Sequence, residues 1–439
     1  MHLFLKIAKI AFFLANMNFL FSCNYHKPEN HQPTVEVRYQ DGRAQLFRNG
    51  QPYFIKGAAG TEHLDKVALY GGNSIRTWSL NNADSILDAA HKLGLTVTLG
   101  LEIGRPAWGN DFSYWKFWEV NQKIEELKPF IEKYKDHPAL LMWGVGNEVK
   151  EYGGGKKIIV LYIINKVAKM VKEVDPNHPT MTAANVSLKP NNFLMPHLDI
   201  MGYNAFNSLD RMHHNIYGKG GWDKAYMLSE WGSIGHWSVK DTEWGAPKEL
   251  RNSEKRELME KYWDIMEKDT SLFIGSYAFY WGSKHEATHT WFSLFSEDGA
   301  ETESVNFLKY AWSGEKVKNS APRVENLFLE TKQGLVNDNV YLESFQEYNA
   351  IAHTHDLEGD SLTYKWEIRP QENYFIDRIN KTDFNLSHYN MEFLIQKYEG
   401  NKIKFLAPKE EGPYRIFVFA YDGQGNVASY NIPFYVLIK

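Results

Sequence analysis

The stretch HPALLMWGVGNEV, residues 137–149, decides how the chain folds. From 139 to 146 every residue is apolar or glycine, over a length that suits a strand better than a helix. A strand that is apolar on successive rather than alternate residues is covered on both faces, which is the condition of a strand inside a parallel sheet. The run then ends on Asn147 and Glu148. A carboxylate carried to a buried strand end is costly unless something there pairs with it, so Glu148 points to polar company at the ends of the strands.

Working outward, runs of the same kind recur at 53–59, 73–79, 95–103, 180–185, 199–205, 226–232 and 273–281. Helix-like segments separate them, among them NADSILDAAHKLG (82–94), EVNQKIEELKPFIEKY (119–134), KIIVLYIINKVAKMVKEV (157–174) and NSEKRELMEKYWDIMEKD (252–269). Eight strands alternating with helices predict an α/β fold closed into a (β/α)8 TIM barrel. An open doubly wound sheet fits less well, because no glycine-rich phosphate fingerprint follows the first strand. Ahead of the barrel, residues 35–57 alternate and carry Asp41-Gly42 and Asn49-Gly50, which reads as a hairpin feeding the first buried strand.

In such a barrel the chemistry collects where the strands end. Strand two ends near Arg76, strand four at Asn147 and Glu148, strand six at Tyr203 and Asn204, strand seven at Glu230 and Trp231, and strand eight at Tyr280 and Trp281. Glu148 and Glu230, three strands apart on one rim, can face each other across the mouth. Two opposed carboxylates suit cleavage of an acetal, where one must be protonated and the other ionised. Arg76 beside one carboxylate favours its charged form, whereas apolar neighbours such as Trp143 disfavour that of Glu148. Glu230 is therefore read as nucleophile and Glu148 as acid/base. A helix cap is the competing reading of an isolated Asn-Glu pair, a structural ion pair that of Arg76, and core packing that of Trp281.

HPALLMWGVGNEV resembles the strand-four signature of the clan A glycoside hydrolases, the retaining (β/α)8 enzymes that include β-galactosidases, β-glucuronidases, cellulases and β-1,3-glucanases. AYMLSEWGS (225–233) is similar to the clan's strand-seven nucleophile segment. The resemblance spans roughly residues 35 to 315. It implies that Asn147 bonds the sugar 2-hydroxyl, Arg76 supports Glu230, Tyr203 touches the nucleophile and Trp281 forms the floor under the −1 sugar. It also implies carboxyl groups about 5 Å apart. The chain departs from the β-galactosidase family in lacking the β-sandwich domains that precede that barrel, which favours endo action or transglycosylation over release of single sugars.

A literal HExxH lies at 285–289, HEATH. A zinc site needs that pattern on a helix, and here it follows a strand and a glycine among residues that favour extended structure. Lys284, His285 and Glu286 are instead expected to line a polar cleft, and His213-His214 reads as a solvated pair. No metal and no cofactor are expected. The loops RPAWGNDFSYWKFW (105–118) and GSIGHWSVKDTEWG (232–245) are rich in aromatics, with Trp108 and Trp237 the candidate stacking platforms for several sugars. A polymer is thus preferred over a disaccharide, β-1,3-glucan first, with mannan and β-1,4-glucan open.

Aromatic residues make up 15% of the 439, more than the core needs, and the formal charge of −5 offers no basic field for nucleic acid. Residues 1–22, with Lys6 and Lys9 before an apolar stretch, read as a signal peptide. Leu20, Phe21, Ser22 and Cys23 resemble a bacterial lipobox, so Cys23, the chain's one cysteine, is expected to be lipidated and to anchor a monomer on the outer membrane, periplasmic or at the surface. Residues 23–34 form a tether, 35–315 the catalytic barrel and 316–439 an immunoglobulin-like β-sandwich, reached through the polar segment SGEKVKNSAPRV (313–324). In that last part Asp356, Asp360 and Asp422 are read as turn formers before calcium ligands. Two readings of different class follow: a retaining β-glycoside hydrolase or transglycosylase, and a glycan-binding surface protein whose barrel is idle.

Overall fold

A computed structural model describes residues 34–105, 112–149, 157–185, 192–207, 209–218, 221–371 and 389–438. Cys23 and Trp108 lie outside them. A small antiparallel sheet of Val35–Gln40, Arg43–Arg48 and Gln51–Pro52 opens the described chain, with Asp41 and Asn49 in the left-handed conformation that its turns require.

The barrel follows. Its strands are β1 (Ile55–Ala59), β2 (Ser74–Arg76), β3 (Thr96–Leu101), β4 (Leu140–Asn147), β5 (Thr180–Asn185), β6 (Ile200–Ala205), β7 (Tyr226–Gly232) and β8 (Phe273–Phe279). They pair in chain order, all parallel, and β8 returns to β1 to close the sheet. Each strand lies within the run the sequence marked. Among the described residues, helices follow every strand except β5. Closure leaves no sheet edge, and the eight strands enclose a space that side chains fill. Tyr277 of β8 fills much of it: fully buried, it is hydrogen bonded to Ser74 Oγ (2.8 Å) and Thr98 Oγ1 (2.6 Å) across the barrel. Gly57 on the neighbouring strand makes this possible, since a Cβ there would lie 2.3 Å from the Tyr277 ring.

Beyond the barrel come two antiparallel-rich sheets. One has the order Gly334–Val336, Arg323–Thr331, Glu347–His355, Lys402–Leu406, Ile395–Glu399, and the other Val340–Glu343, Val427–Leu437, Gly412–Tyr421, Thr363–Pro370. They share a core of their own, in which Leu327, Ala350 and Ile403 of the first meet Trp366, Ile416 and Phe434 of the second. The HEATH segment lies where these sheets meet the barrel, and it is irregular rather than helical, with Ala287 at a positive φ of 63°. Thr288 Oγ1 donates to Glu249 (2.6 Å), which also takes Lys255 Nζ (2.6 Å) and Asn431 Nδ2 (2.6 Å). His289 lies against Glu367 (3.1 Å) and the rings of Phe417 and Phe419. Among the described residues no group of three or more His, Cys, Asp or Glu converges to hold a metal.

The carboxylates of this joint, Glu249 and Glu367, are buried, and each has a partner of opposite sign, as burial demands. For Glu367, burial raises the carboxyl's pKa, but His289, Arg369 and Lys365 outweigh it and hold the group at about 2. A carboxylate depressed in the fold contributes stability that is complete above its ordinary pKa of 4.5 and is lost as pH falls toward 2. The unfolding midpoint of Glu367→Gln should therefore lie well below that of wild type at pH 6 and close on it as pH drops from 5 to 2.5. A gap that stays constant over that range would show that the charge contributes nothing.

Candidate active site

Arg76 closes β2 and is buried to 2% exposure at the C-terminal mouth of the barrel. Its guanidinium is spent on three acceptors. Nη1 donates to Glu230 Oε1 (2.8 Å) and to the Ser229 carbonyl (2.9 Å), and Nη2 donates to Asn147 Oδ1 (2.7 Å). One cation thus bridges the ends of β4 and β7. Asn147 Oδ1 also receives Asn204 Nδ2 (3.3 Å), and the same amide reaches Glu148 Oε1 (3.1 Å). The two carboxylates expected from the sequence are joined by this line. Arg105 stands 3.9 Å from the other oxygen of Glu148.

The backbone at the end of β4 is bent to aim these groups. Gly146 and Glu148 both have positive φ, 72° and 48°. A glutamate in that region is uncommon and persists where the surroundings over-determine it, here through its own N–H on the Ala183 carbonyl (2.8 Å). Asn147 Oδ1 is thus the acceptor for both Arg76 and Asn204.

Two expected residues stand elsewhere. Tyr203 does not touch Glu230. It is fully buried, its ring meets Tyr226 edge-on (6.4 Å), its hydroxyl has no partner among the described residues, and burial pushes its pKa up. The next residue, Asn204, takes the place in the site, held by Ser229 Oγ on its own Oδ1 (2.8 Å). The parity flips because β7 is irregular at Ser229: Leu228 pairs with Tyr203, and Glu230 with Asn204. Trp281 is likewise no floor for a sugar. At 0% exposure it packs on Trp312 (5.4 Å) and Phe295 (5.0 Å) and donates to the His63 carbonyl (3.2 Å), inside the core. Tyr280, half-buried, occupies the rim, and burial and the nearby Glu62 carboxylate push its phenol up.

The sequence reading missed Trp78. Two residues beyond Arg76, its Nε1 donates to Glu230 Oε1 (2.7 Å), and its ring stacks on Tyr280 (5.8 Å between centroids, 15° between planes). An aromatic wall continues outward from it through Phe279 (5.9 Å) and Phe206 (5.3 Å) to Trp237 (6.0 Å), which is 52% exposed on the turn His236–Ser238. Lys284 lies over the Phe279 ring (5.0 Å), so the start of the loop after β8 does reach the rim.

Residues 68–239 match the family model "Glycosyl hydrolases family 2, TIM barrel domain". That span holds β2 to β7 and with them Arg76, Asn147, Glu148, Asn204 and Glu230. Curated relatives include the human β-glucuronidase, 21% identical over 38% of this chain and 27% of its own length, and a β-galactosidase of Bacteroides ovatus, 22% identical over 51% of this chain and 29% of its own. A third is mannan endo-1,4-beta-mannosidase F of Aspergillus clavatus, 26% identical over 26% of this chain and 29% of its own. Each match thus takes in less than a third of the relative's length. Among solved structures, a Bacteroides uniformis β-glucuronidase aligns with a TM-score of 0.47 and 15% identity, over 92% of this chain and 48% of the other. The homologues of the family 2 barrel are glycoside hydrolases of the retaining kind.

The different placements of the two tryptophans set a direct test by thermal unfolding. Trp281→Ala, emptying a buried site, should cost about 3–5 kcal/mol of stability, whereas Trp237→Ala should stay within about 0.5 kcal/mol of wild type. Equal losses would return Trp281 to the surface of the cleft.

Proposed function

We propose that this chain is a retaining β-glycoside hydrolase that works by double displacement, with Glu230 as nucleophile and Glu148 as acid/base. The observation that carries this reading is the hydrogen-bonded line from Glu230 through Arg76, Asn147 and Asn204 to Glu148, which gathers both carboxylates at the mouth of the barrel. In the first step Glu230 attacks the anomeric carbon while Glu148 gives its proton to the glycosidic oxygen. The bond to the leaving alcohol breaks as the ester to Glu230 forms. In the second step Glu148, now ionised, takes a proton from water, whose oxygen attacks the same carbon and breaks the ester. The Asn147 amide donates to the sugar hydroxyl beside the reacting carbon, and Asn204 keeps Glu148 aimed.

The substrate is a β-linked oligosaccharide or polysaccharide. The wall from Trp78 to the exposed Trp237 supports contact with more than one sugar. β-1,3-Glucan is the first choice, and mannan, galactosides and glucuronides are the alternatives suggested by the names of the relatives. The proposal includes anchoring of a monomer on the bacterial outer membrane through Cys23, which Cys23→Ala should release from the membrane fraction.

Product analysis on laminarin, mixed-linkage glucan, mannan and a panel of aryl β-glycosides tests the chemistry. Wild type should cleave at least one with retention, and Glu230→Ala should lose roughly four orders of magnitude or more. Glu148→Ala should lose about 10²- to 10⁴-fold on poor leaving groups, with sodium azide restoring turnover of activated aryl glycosides as the β-glycosyl azide. No cleavage by wild type, or full activity in Glu230→Ala, would sink the reading.

A further inference from the structure

Two donors, the Arg76 guanidinium (2.8 Å) and the Trp78 indole (2.7 Å), converge on the same oxygen of Glu230, Oε1. No described residue donates to Oε2. A carboxylate has two equivalent oxygens in solution, and a protein that bonds both donors to one of them has chosen which is left to react. We infer that Trp78 is a positioning residue for the nucleophile, its indole N–H locking Oε1 so that Oε2 is the oxygen that attacks the anomeric carbon. The inference rests on the reading of Glu230 given above.

Several observations make Trp78 a designed donor rather than a wall residue that happens to be near. The residue before it is tied to β3: Thr77 N donates to the Thr98 carbonyl (3.0 Å), and Gly100 N donates to Thr77 Oγ1 (3.1 Å). The close approach needs a glycine, since a Cβ on Gly100 would lie 2.3 Å from the Trp78 carbonyl carbon. The ring is held in plane by Tyr280 on its face and Phe279 at its edge, and the Arg76 guanidinium lies 5.5 Å from its centre. An indole so clamped has its one N–H fixed in direction, and N–H donors aimed in advance cost no reorganisation as the reaction proceeds. A hydrogen bond to a charged acceptor is also stronger than one between neutral groups. As Oε2 forms its bond to carbon, the carboxylate loses charge. The N–H therefore serves orientation in glycosylation and stabilises the departing carboxylate when the ester is cleaved.

Trp78→Phe keeps a ring face toward Tyr280 and removes the N–H. Trp78→His restores a donor, because imidazole Nε2 occupies the place of indole Nε1 on the five-membered ring. The probe is whichever 2,4-dinitrophenyl β-glycoside wild type cleaves, with its 2-deoxy-2-fluoro counterpart used to trap the ester on Glu230. Trp78→Phe should lower kcat/KM and the trapping rate about 10- to 100-fold, with KM within about twofold of wild type. The acid limb of its pH profile should move upward, since a carboxylate that loses a donor holds its proton more readily. Trp78→His should recover part of the rate and return the limb toward wild type. A Trp78→Phe enzyme with unchanged kcat/KM and acid limb overturns the inference, as does a change confined to KM, which would make Trp78 a sugar platform alone. Loss in both variants with no recovery in Trp78→His also overturns it. Failure of wild type to form a trapped ester on Glu230 is a different result: it removes the nucleophile reading, and this inference falls with it.

Discussion

The arrangement depends on one buried cation. A guanidinium at 2% exposure cannot stand without acceptors, and the mouth of the barrel supplies them from two strands that are not neighbours, Glu230 and the Ser229 carbonyl from β7 and Asn147 from β4. Taking away any one acceptor leaves part of the charge buried and unanswered, so the three hold one another in place. This is a tighter constraint than packing alone, because the planar fork of Arg fixes direction as well as distance. Lysine at position 76 would keep the charge and lose the bridge.

The constraint works because the barrel beneath it is stiff. Tyr277 plugs the interior and ties β8 to β2 and β3 through Ser74 and Thr98, just below the level at which Arg76 emerges. Parallel strands closed on themselves cannot slide without breaking every ladder at once. The site residues are therefore mounted on or beside strand ends, while the aromatic wall, Phe279 of β8 apart, is carried by the segments that follow the strands. Geometry is set by the sheet and reach by the loops, which is how one barrel plan serves many substrates.

The sheet was legible in the sequence because buried parallel strands are apolar throughout, and the eight runs stand out against amphipathic helices. The carboxylates were legible for the opposite reason: Glu148 and Glu230 break apolar runs. What could not be read was parity. Period-two alternation assigns side chains to the inside or outside only while the ladder is regular, and the ladder between β6 and β7 shifts by one residue between Leu228 and Glu230. Tyr203 and Asn204 exchange roles across that shift. The case of Trp281 is similar, since nothing in the order of residues says that the chain turns under the barrel rim there. Trp78 escaped for another reason: it lies past the end of a short strand, and only the folded loop brings its N–H to Glu230. The HEATH pattern shows the converse, a motif present letter by letter whose helix is absent.

That last segment explains why the barrel is joined to a second pair of sheets. Residues 281–302 contain bridges but no strand or helix, an unusual length of irregular chain inside a compact unit. Left on the surface it would be mobile, yet it carries Lys284 to the rim of the cleft. Its polar groups are instead satisfied from below: Glu249 and Lys255 of the barrel side bind Thr288 and Thr290, Glu367 of the sheets lies against His289, and Asn431 of the sheets reaches Thr290 (3.5 Å). Nearby, the Glu301 N–H and the Val427 N–H bond across the same joint. The C-terminal sheets and the barrel side thus bury the far half of this loop between them, while its near end carries Lys284 over the Phe279 ring at the cleft's rim.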